Sequence, residues 1–236
     1  MILFLTSSPT GPLDGSRLVD GLDKMNNFVE NLKKYWKKDA KNLMITATPD
    51  NYEQNDEMIE FFGNAVKKDG FTWSAFDLWD RRTKDISKEK LQSYDVIWLG
   101  GGHVPTQNQY FKELDLREKM KGFDGIVIGI SAGTMNSADV VYAQPEHSGE
   151  SVDPEYRRFI EGLGLTKTMI LPHYQMVKDY YLDGKRLYEE ITYEDSYGQE
   201  FLVLPDGSYL MGEDGQESVW GEAYKIKDGQ IRKIQD

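Results

Sequence analysis

The chain contains no cysteine. This absence excludes disulfide bonds, a thiolate nucleophile and any metal site built on cysteine. Histidine is also scarce, since the only three are His103, His147 and His173. A reaction that needs an imidazole base therefore has few candidates to choose from.

Positive charge is in short supply as well. The sequence has 28 Lys and Arg residues against 40 Asp and Glu residues, which gives a formal net charge of -12. This balance argues against nucleic acid and anionic membranes as partners, because either would normally demand a basic face. We expect a protein that handles small molecules or peptides.

Long apolar runs are missing too. The apolar stretch 1–6 has no basic leader and is far too short for a signal or membrane segment, and Pro9 and Gly11 follow it as they would follow a first strand. The simplest expectation is a cytoplasmic protein. With 236 residues, of which 39% are hydrophobic, the chain can bury one core, so a single domain over residues 1–236 is predicted.

The first half of the chain alternates strand-like and helix-like segments. Strands are predicted for residues 2–6, 42–48, 71–78 and 95–99, followed by a fifth that stops at Ser131, and helices for 16–38, 55–68 and 87–94. Strands that are unbroken apolar runs, such as 96–99 and 126–128, are typical of a parallel sheet covered on both faces. The predicted fold class is therefore α/β, with a mainly parallel sheet flanked by helices on both faces.

The last sixty or so residues have a different character. Short strand patterns occur at residues 200–204, 208–211, 219–226 and 230–234, and the dipeptides Asp-Gly at 206–207, 214–215 and 228–229 lie between them. Asp-Gly between strand patterns is a hairpin signal. A β-rich C-terminal section that extends or flanks the main sheet is predicted.

The most informative motif is Gly-Ile-Ser-Ala-Gly at residues 129–133, which has the G-x-S-x-G form of a nucleophile elbow. In such a turn the serine sits at the carboxyl end of a strand, and the flanking glycines let strand and helix approach closely. The first N–H groups of the helix, beginning with Ala132, are then available to a developing oxyanion. An ordinary glycine-rich turn between a strand and a helix has the same pattern.

If Ser131 is a nucleophile, it needs a base, and His173 is the best candidate. It follows the apolar run 169–172, so it is expected to emerge at the same sheet edge as Ser131. His147 lies in a polar loop and is expected to be solvated. His103 follows three glycines and is a candidate substrate contact.

An acid that fixes the histidine tautomer would complete the site. Asp206 follows an apolar strand and comes after the histidine, although Asp-Gly is also a common turn dipeptide. Glu146 is a rival orienting acid, or else a contact for the α-amino group of a substrate. No histidine stands at ligand spacing from the acidic residues at 150, 153 and 155, so neither a metal site nor a cofactor is predicted.

The second glycine cluster, residues 100–102, ends the strand that precedes the elbow strand. Three glycines allow a backbone N–H to approach a ligand closely, so Gly101 or Gly102 could complete an oxyanion hole beside Ala132. A phosphate cradle is the rival interpretation. It is weaker because the run is neither G-x-G-x-x-G nor followed by Gly-Lys-Ser/Thr.

Taken together, these motifs resemble the peptidase E (aspartyl dipeptidase) family of serine peptidases, which is similar in fold to the class I glutamine amidotransferases. The resemblance spans roughly residues 1–210 and rests on the segments 100–102, 129–133, 172–174 and 204–207. It implies a serine hydrolase that attacks the peptide bond after an acidic N-terminal residue. By motif matching, Ser131 is the nucleophile, His173 the base and Asp206 the acid, where the family has a glutamate.

The sequence departs from the family pattern at two places. The family loop usually reads Gly-Gly-Gly-Asn, whereas His103 follows the glycines here, so the pocket beside the nucleophile is altered. The acidic preference depends on basic side chains downstream of the histidine, for which Lys178, Lys185 and Arg186 are candidates and Arg186 the clearest match. Arginine would suit a substrate carboxylate, although a solvated helix face explains Arg186 equally well.

Two other functions fit the same sequence. One is a non-catalytic amidotransferase-like module that binds a small amino-acid-like ligand. The other is a different serine hydrolase, such as an amidase or a cyanophycinase-like peptidase that acts on β-linked aspartyl polymers. A hydrolase needs a working base for Ser131, and an aspartyl preference needs a basic pocket beside it.

Overall fold

The computed structural model describes residues 1–236. Eight α-helices are present: Phe28–Tyr35 (α1), Tyr52–Lys68 (α2), Lys88–Gln92 (α3), Val104–Glu113 (α4), Leu116–Met120 (α5), Ala132–Asn136 (α6), Tyr174–Val177 (α7) and Tyr193–Asp195 (α8). A 3-10 turn precedes α1 at Met25–Asn27, and a π-helical segment precedes α8 at Leu187–Thr192. None of the helices has the length and apolar character needed to cross a membrane.

The strands of the first half are Ile2–Thr6 (β1), Ala40–Ile45 (β2), Trp73–Trp79 (β3), Val96–Leu99 (β4), Ile126–Ile130 (β5) and Val140–Tyr142 (β6). Those of the second half are Phe159–Glu161 (β7), Met169–Leu171 (β8), Tyr181–Leu182 (β9), Lys185–Arg186 (β10), Glu200–Val203 (β11), Tyr209–Glu213 (β12), Gln216–Trp220 (β13), Ala223–Lys227 (β14) and Gln230–Gln235 (β15).

Seven strands form the central sheet in the order β13-β12-β1-β5-β4-β2-β3. The five strands from β1 to β3 in this order are parallel, and the hairpin β12-β13 joins them antiparallel beside β1. The predicted fold class, a mainly parallel sheet flanked by helices, is confirmed. The carboxyl ends of β1, β4 and β5 therefore lie side by side at one edge.

Alternate residues of each central strand pack on opposite faces of the sheet. In β1, Leu3 and Leu5 belong to one buried apolar cluster and Phe4 to the other; in β5, Val127 and Ile128 divide in the same way. This follows from the two-residue period of a strand. Each such side chain contributes about 1.5–3 kcal/mol by burial, which stabilises the central strands that lead to the site.

A second sheet carries the other half of the site. Its order is β15-β14-β11-β8, and β8 runs parallel to β11 with Ile170 opposite Leu202 and Leu171 opposite Val203. Because the two strands are parallel and in register, the residues that follow them emerge together at one end. A third apolar cluster, which includes Met135 of α6, packs this sheet against the elbow helix.

The predicted helix over residues 16–38 is wrong over its first half. The chain is irregular up to Asp23, and Leu18, expected on an inner face, has 95% of its surface exposed. Gly21 at φ 96° and the left-handed Asn26 and Asn27 interrupt any regular helix, so α1 starts only at Phe28. The apolar spacing before this point does not reflect a helix, although Leu22 is fully buried.

Several bounds also shift by a few residues. The helix predicted from residue 55 starts at Tyr52, because the side chain of Asn51 caps it by accepting a hydrogen bond from the N–H of Gln54. Strand β2 ends at Ile45 rather than at residue 48, and β3 begins at Trp73. Helices α4 and α5, which the sequence patterns did not indicate, follow the glycine cluster.

The three Asp-Gly dipeptides do not all form hairpins. Those at 214–215 and 228–229 join β12 to β13 and β14 to β15, as predicted, with both residues of each at positive φ. The dipeptide Asp206-Gly207 instead connects β11 of the second sheet to β12 of the central sheet. The β-rich C-terminal section thus both extends the main sheet and builds the flanking one.

Candidate active site

Ser131 stands between β5 and α6 in a conformation that non-glycine residues rarely adopt, with φ 51° and ψ -111°. The turn is held from both sides. The N–H of Ser131 donates to the carbonyl of Thr6 over 3.2 Å, and its own carbonyl accepts from the N–H of Met135 over 3.0 Å. Ser131 therefore has the strained strand-to-helix backbone of a nucleophile elbow.

The flanking glycines are required because α6 lies almost against the strand ends. A Cβ atom on Gly129 would lie 2.7 Å from Thr134 Oγ1, and one on Gly133 would overlap the backbone of Leu99. Thr134 in turn donates from Oγ1 to the carbonyl of Thr6 over 2.7 Å. The G-x-S-x-G spacing is thus a packing requirement of this turn.

His173 follows β8 and also has a left-handed backbone, with φ 59°. Its N–H donates to Ser7 Oγ over 2.8 Å, and its Nδ1 lies 2.7 Å from Asp206 Oδ1. An ionised carboxylate only accepts hydrogen bonds, so Nδ1 carries the proton and Nε2 is left as the basic nitrogen. Nε2 makes no hydrogen bond with the protein.

The carboxylate of Asp206 is almost completely buried, with 1% of the side chain exposed. Oδ1 accepts from His173 Nδ1 and, over 2.5 Å, from Ser7 Oγ; Oδ2 accepts from Gln175 Nε2 over 2.7 Å and from the N–H of Leu13 over 3.1 Å. Burial by itself raises the pKa of Asp206, but the hydrogen bonds from His173, Ser7 and Leu13 outweigh it and lower that pKa below its usual range. Asp206 is therefore ionised at neutral pH.

Ser7 is a member of this site that the sequence patterns did not identify. It is fully buried, follows β1 directly, and bridges the backbone of His173 and the carboxylate of Asp206. An isolated serine at the end of a first strand has no motif around it. The only available signal was its position, since β1 ends at the same sheet edge as β5.

Ser131 and His173 line one cavity of about 280 Å³. No hydrogen bond joins the Ser131 hydroxyl to His173. Catalytic hydrogen bonds are often long in free enzymes and tighten when substrate binds. The two side chains are thus brought to one cavity, and the third predicted member of the triad lies behind the histidine.

The glycine loop borders this cavity beside Ser131. A Cβ atom on Gly101 would lie 3.4 Å from the Cβ of Ser131, and Gly102 lines the cavity itself. The N–H groups of Gly101 and Gly102 make no hydrogen bond within the protein, and Ala132, as the first residue of α6, has no intrahelical acceptor. Free backbone donors therefore surround Ser131 where an oxyanion hole is predicted.

A buried network of amides fixes the glycine loop to the elbow helix. Gln107 Nε2 donates to the carbonyl of Gly100 over 2.6 Å, while its Oε1 accepts from Asn136 Nδ2 over 3.0 Å. Asn136 also accepts, over 3.0 Å, from Asn108 Nδ2. These bonds connect the glycine loop and α4 to α6, so the two sides of the predicted oxyanion hole are joined by one buried network.

Of the predicted substrate contacts, only Glu146 lines the cavity. His103 does not line it: its Nδ1 lies 2.8 Å from Thr106 Oγ1, its Nε2 lies 2.8 Å from Glu150 Oε1, and its ring packs on that of His147 at a centroid distance of 4.3 Å. A direct contact between His103 and substrate stays a prediction.

Arg186 also lies outside the lining of the cavity. Its Nη2 is 3.2 Å from Glu189 Oε1 and 3.7 Å from Asp179 Oδ1. The guanidinium is thus paired with acidic neighbours on its own stretch of chain. A contact between Arg186 and a substrate carboxylate stays a prediction.

Two solved structures are similar in fold over nearly the whole chain. One is the crystal structure of a peptidase from an acI-B1 Actinobacterium, with a TM-score of 0.68 at 14% identity, covering 99% of this chain and 93% of that one. The other is the crystal structure of a putative peptidase E protein from Listeria monocytogenes EGD-e, with a TM-score of 0.55 at 18% identity, covering 99% and 98%. No curated protein matches the sequence.

The family assignment comes from the sequence itself. The model of peptidase family S51 matches residues 15–219, which include the glycine loop, the elbow, the Pro-His motif and the segment around Asp206. This match covers most of the chain, and the predicted resemblance to peptidase E is confirmed. The chain belongs to peptidase family S51.

Proposed function

We propose that this protein is a serine peptidase that cleaves short peptides through a Ser131-His173-Asp206 triad and an acyl-enzyme. The observation that carries the proposal is the 2.7 Å hydrogen bond between His173 Nδ1 and the buried Asp206, behind a cavity that His173 shares with the elbow serine. This bond leaves Nε2 of His173 as a base on the cavity side of the triad. A pocket that only binds a ligand would have no need of it.

In the first step, Ser131 Oγ attacks the carbonyl carbon of the scissile bond while His173 Nε2 takes the hydroxyl proton. The tetrahedral intermediate then collapses, the C–N bond breaks, and His173 returns the proton to the leaving amine. Asp206 remains ionised throughout and stabilises the imidazolium. The products of this step are an ester on Ser131 and a free amine.

In the second step, water attacks the ester carbonyl and gives its proton to His173 Nε2. The C–O bond to Ser131 breaks, and the proton passes back to Oγ, so that the acid product leaves and the free enzyme is restored. In both steps the negative charge on the former carbonyl oxygen is stabilised by the N–H groups of Ala132 and of Gly101 or Gly102.

The size of the cavity favours a short substrate. Its volume of about 280 Å³ is at the lower limit of the roughly 300–1,000 Å³ that small-molecule sites usually occupy. The resemblance to peptidase E further predicts an aspartate at the N-terminus of the substrate. This finer specificity stays a prediction, and a panel of dipeptides tests it.

The first experiment combines labelling by a fluorophosphonate probe with turnover of dipeptides that begin with Asp, Glu, Asn or Leu. We expect the wild-type protein to be labelled, and Ser131→Ala and His173→Ala to lose labelling and at least about 10³-fold of turnover without unfolding. Turnover restricted to Asp-X would establish the aspartyl dipeptidase. Labelling without cleavage of Asp-X would support Ser131 as a nucleophile and contradict the preference for an N-terminal aspartate.

Matched controls separate these effects from damage to the fold. Ser93→Ala removes an exposed serine at the C-terminal end of α3, and His147→Ala removes an exposed histidine, so both variants should be labelled like the wild type. If folded wild-type protein is not labelled, the serine peptidase proposal fails and the non-catalytic binding module is favoured.

A further inference from the structure

The cavity beside Ser131 is apolar on the sides that the triad and glycine loop leave free. Buried Val104, Met135 and Leu187 form part of its wall, together with the half-buried Val177. These residues come from α4, α6, the π-helical segment and α7, so four separate elements converge on one apolar surface. Such a surface binds an apolar side chain by removing it from water.

The cavity contains one acidic side chain and no lysine or arginine. Glu146 is the acidic residue, and its carboxylate has no ion pair or hydrogen bond within the protein. Gln144, the other polar residue of this loop in the lining, already donates from Nε2 to Thr192 Oγ1 over 2.7 Å. The free charge available to a substrate here is therefore negative.

Glu150 holds Glu146 in place. The carboxylate oxygen Oε2 of Glu150 accepts from the N–H groups of Glu146 and His147 over 2.8 and 2.9 Å, and Oε1 lies 2.8 Å from His103 Nε2. The loop is thus tied to the residue that follows the glycine cluster. The backbone of Glu146 is consequently tied to the glycine loop, and its exposed side chain is free to contact a substrate.

The basic residues that an aspartyl preference requires lie elsewhere. Lys178 and Lys185 are exposed and do not line the cavity, and Arg186 is paired with Asp179 and Glu189. A substrate aspartate would have to place its carboxylate among apolar side chains near Glu146 with no cation in the lining. Burying a charge without a partner is costly, so this arrangement discriminates against acidic residues.

We infer that the cavity is the subsite for an uncharged, apolar residue on the acyl side of the scissile bond, and that Glu146 pairs with that residue's free α-ammonium group. The substrate class is then short peptides with a free N-terminal leucine, methionine or similar residue. The inference rests on the proposed function. It departs from the aspartate preference that the family resemblance implies.

The test measures kcat/KM of the full-length protein for p-nitroanilides of leucine, methionine, aspartate and asparagine, with N-acetyl-leucine p-nitroanilide as the blocked substrate. We expect leucine and methionine to exceed aspartate by at least about tenfold, because a charged side chain loses solvation in the apolar cavity. We expect N-acetylation of the leucine substrate to lower kcat/KM by at least about tenfold, because it removes the ammonium group.

Glu146→Gln should raise KM for the free leucine substrate by about tenfold and leave the N-acetyl substrate unchanged, because only the ammonium contact is lost. Glu57→Gln, an exposed glutamate of α2, is the matched control and should behave as wild type with both substrates. Fluorophosphonate labelling of each variant reports on Ser131 and His173 independently of the substrate.

The outcomes distinguish the two proposals. Equal or faster cleavage of the aspartate substrate, or labelling without turnover of any of these substrates, overturns the apolar subsite while the serine peptidase stands. Equal effects of Glu146→Gln on the free and blocked substrates overturn the ammonium contact. If no labelling occurs in folded protein, the proposed function fails and the inference fails with it.

Discussion

Ser7 Oγ donates a hydrogen bond of 2.5 Å to Asp206 Oδ1, and the same oxygen accepts one of 2.8 Å from the N–H of His173. The hydroxyl thus connects the acid and the base of the predicted triad to the end of β1. Since β1 pairs with β5 in the central sheet, Ser7 also links the second sheet to the strand that carries Ser131. We regard it as a positioning residue.

Removing this hydroxyl should impair catalysis more than binding. Ser7→Ala is expected to lower kcat about tenfold with little change in KM. This corresponds to a loss of about 1.4 kcal/mol of transition-state stabilisation, because His173 and Asp206 would be less well oriented. The variant also loses a hydrogen bond that lowers the pKa of Asp206, so the acid limb of its pH–rate profile should change. Steady-state kinetics from about pH 3 to about pH 9, a range that includes the ordinary carboxyl pKa of about 3.9, measure both effects.

The adjacent serine is a suitable control. Ser8 is also buried, but its Oγ donates to the carbonyl of Gly11 and does not contact the triad, so Ser8→Ala should keep the wild-type pH profile. Ser7→Thr retains the hydroxyl and should recover part of the lost kcat. Equal kinetics for Ser7→Ala and wild type would show that Ser7 has no positioning role.

The negative charge of Asp206 is expected to be essential for catalysis. A neutral side chain of the same shape that can also form hydrogen bonds should not replace it. An asparagine there would favour the wrong histidine tautomer, which in other serine peptidases lowers kcat by about 10⁴-fold. We expect a comparable loss in Asp206→Asn, measured as turnover of the best dipeptide. Asp206→Glu keeps the charge and should retain more activity than Asp206→Asn; the reverse order would argue against a triad acid at this position.

The lowered pKa of Asp206 also predicts a stability effect with a definite sign. A carboxyl group whose pKa is lower in the folded than in the unfolded state stabilises the fold above the unfolded value of about 3.9. That contribution is lost as the pH falls through the folded value. We expect wild type to be more stable than Asp206→Asn at neutral pH, and the difference to shrink below about pH 4.

Urea denaturation of both proteins at a series of pH values measures this difference. Other carboxylates with lowered pKa values, such as Glu150 and Asp80, titrate in both proteins and cancel in the comparison. A difference that stays constant, or grows, toward acid pH would contradict the ionised state of Asp206.

Gly102 is expected to tolerate no side chain. Its φ is 150°, and a Cβ atom there would lie 2.7 Å from the Cβ of Ala47. Gly102→Ala should therefore displace the loop and its N–H groups, and we expect a loss of about 10²-fold in kcat, the effect of losing one oxyanion donor. Adding Ala47→Gly removes the contact and should restore part of the activity. If the single variant is fully active, the loop does not contribute to an oxyanion hole at this position.

The parts of the site that the sequence could predict are those where an unbroken apolar run stops at one polar residue. Ser131 and His173 both follow such runs, but they follow strands of two different sheets, β5 and β8. The prediction that they share one sheet edge is therefore wrong, and both side chains reach one cavity because the second sheet packs against the elbow helix. Ser7 could not be predicted in this way, because its partners are 166 and 199 positions away in the sequence and depend on how the two sheets pack.

The wrong predictions of secondary structure also concern features that a local sequence pattern does not contain. Residues 16–27 have the apolar spacing of a helix, but this spacing gives no information about the positive φ values at Gly21 and Asn26 that interrupt a helix. Asp206-Gly207 has the composition of a hairpin turn, yet it crosses between sheets because β11 pairs with β8 instead of β12. In both cases long-range pairing or local backbone geometry overrode the sequence pattern.

The most direct test of the account is to identify the residue that the fluorophosphonate probe modifies, by tandem mass spectrometry of the digested protein. The account predicts a single adduct on Ser131 in the wild type, and none in His173→Ala, because the serine is nucleophilic only when His173 takes its proton. An adduct on another serine, or equal modification of Ser131 without His173, would contradict it.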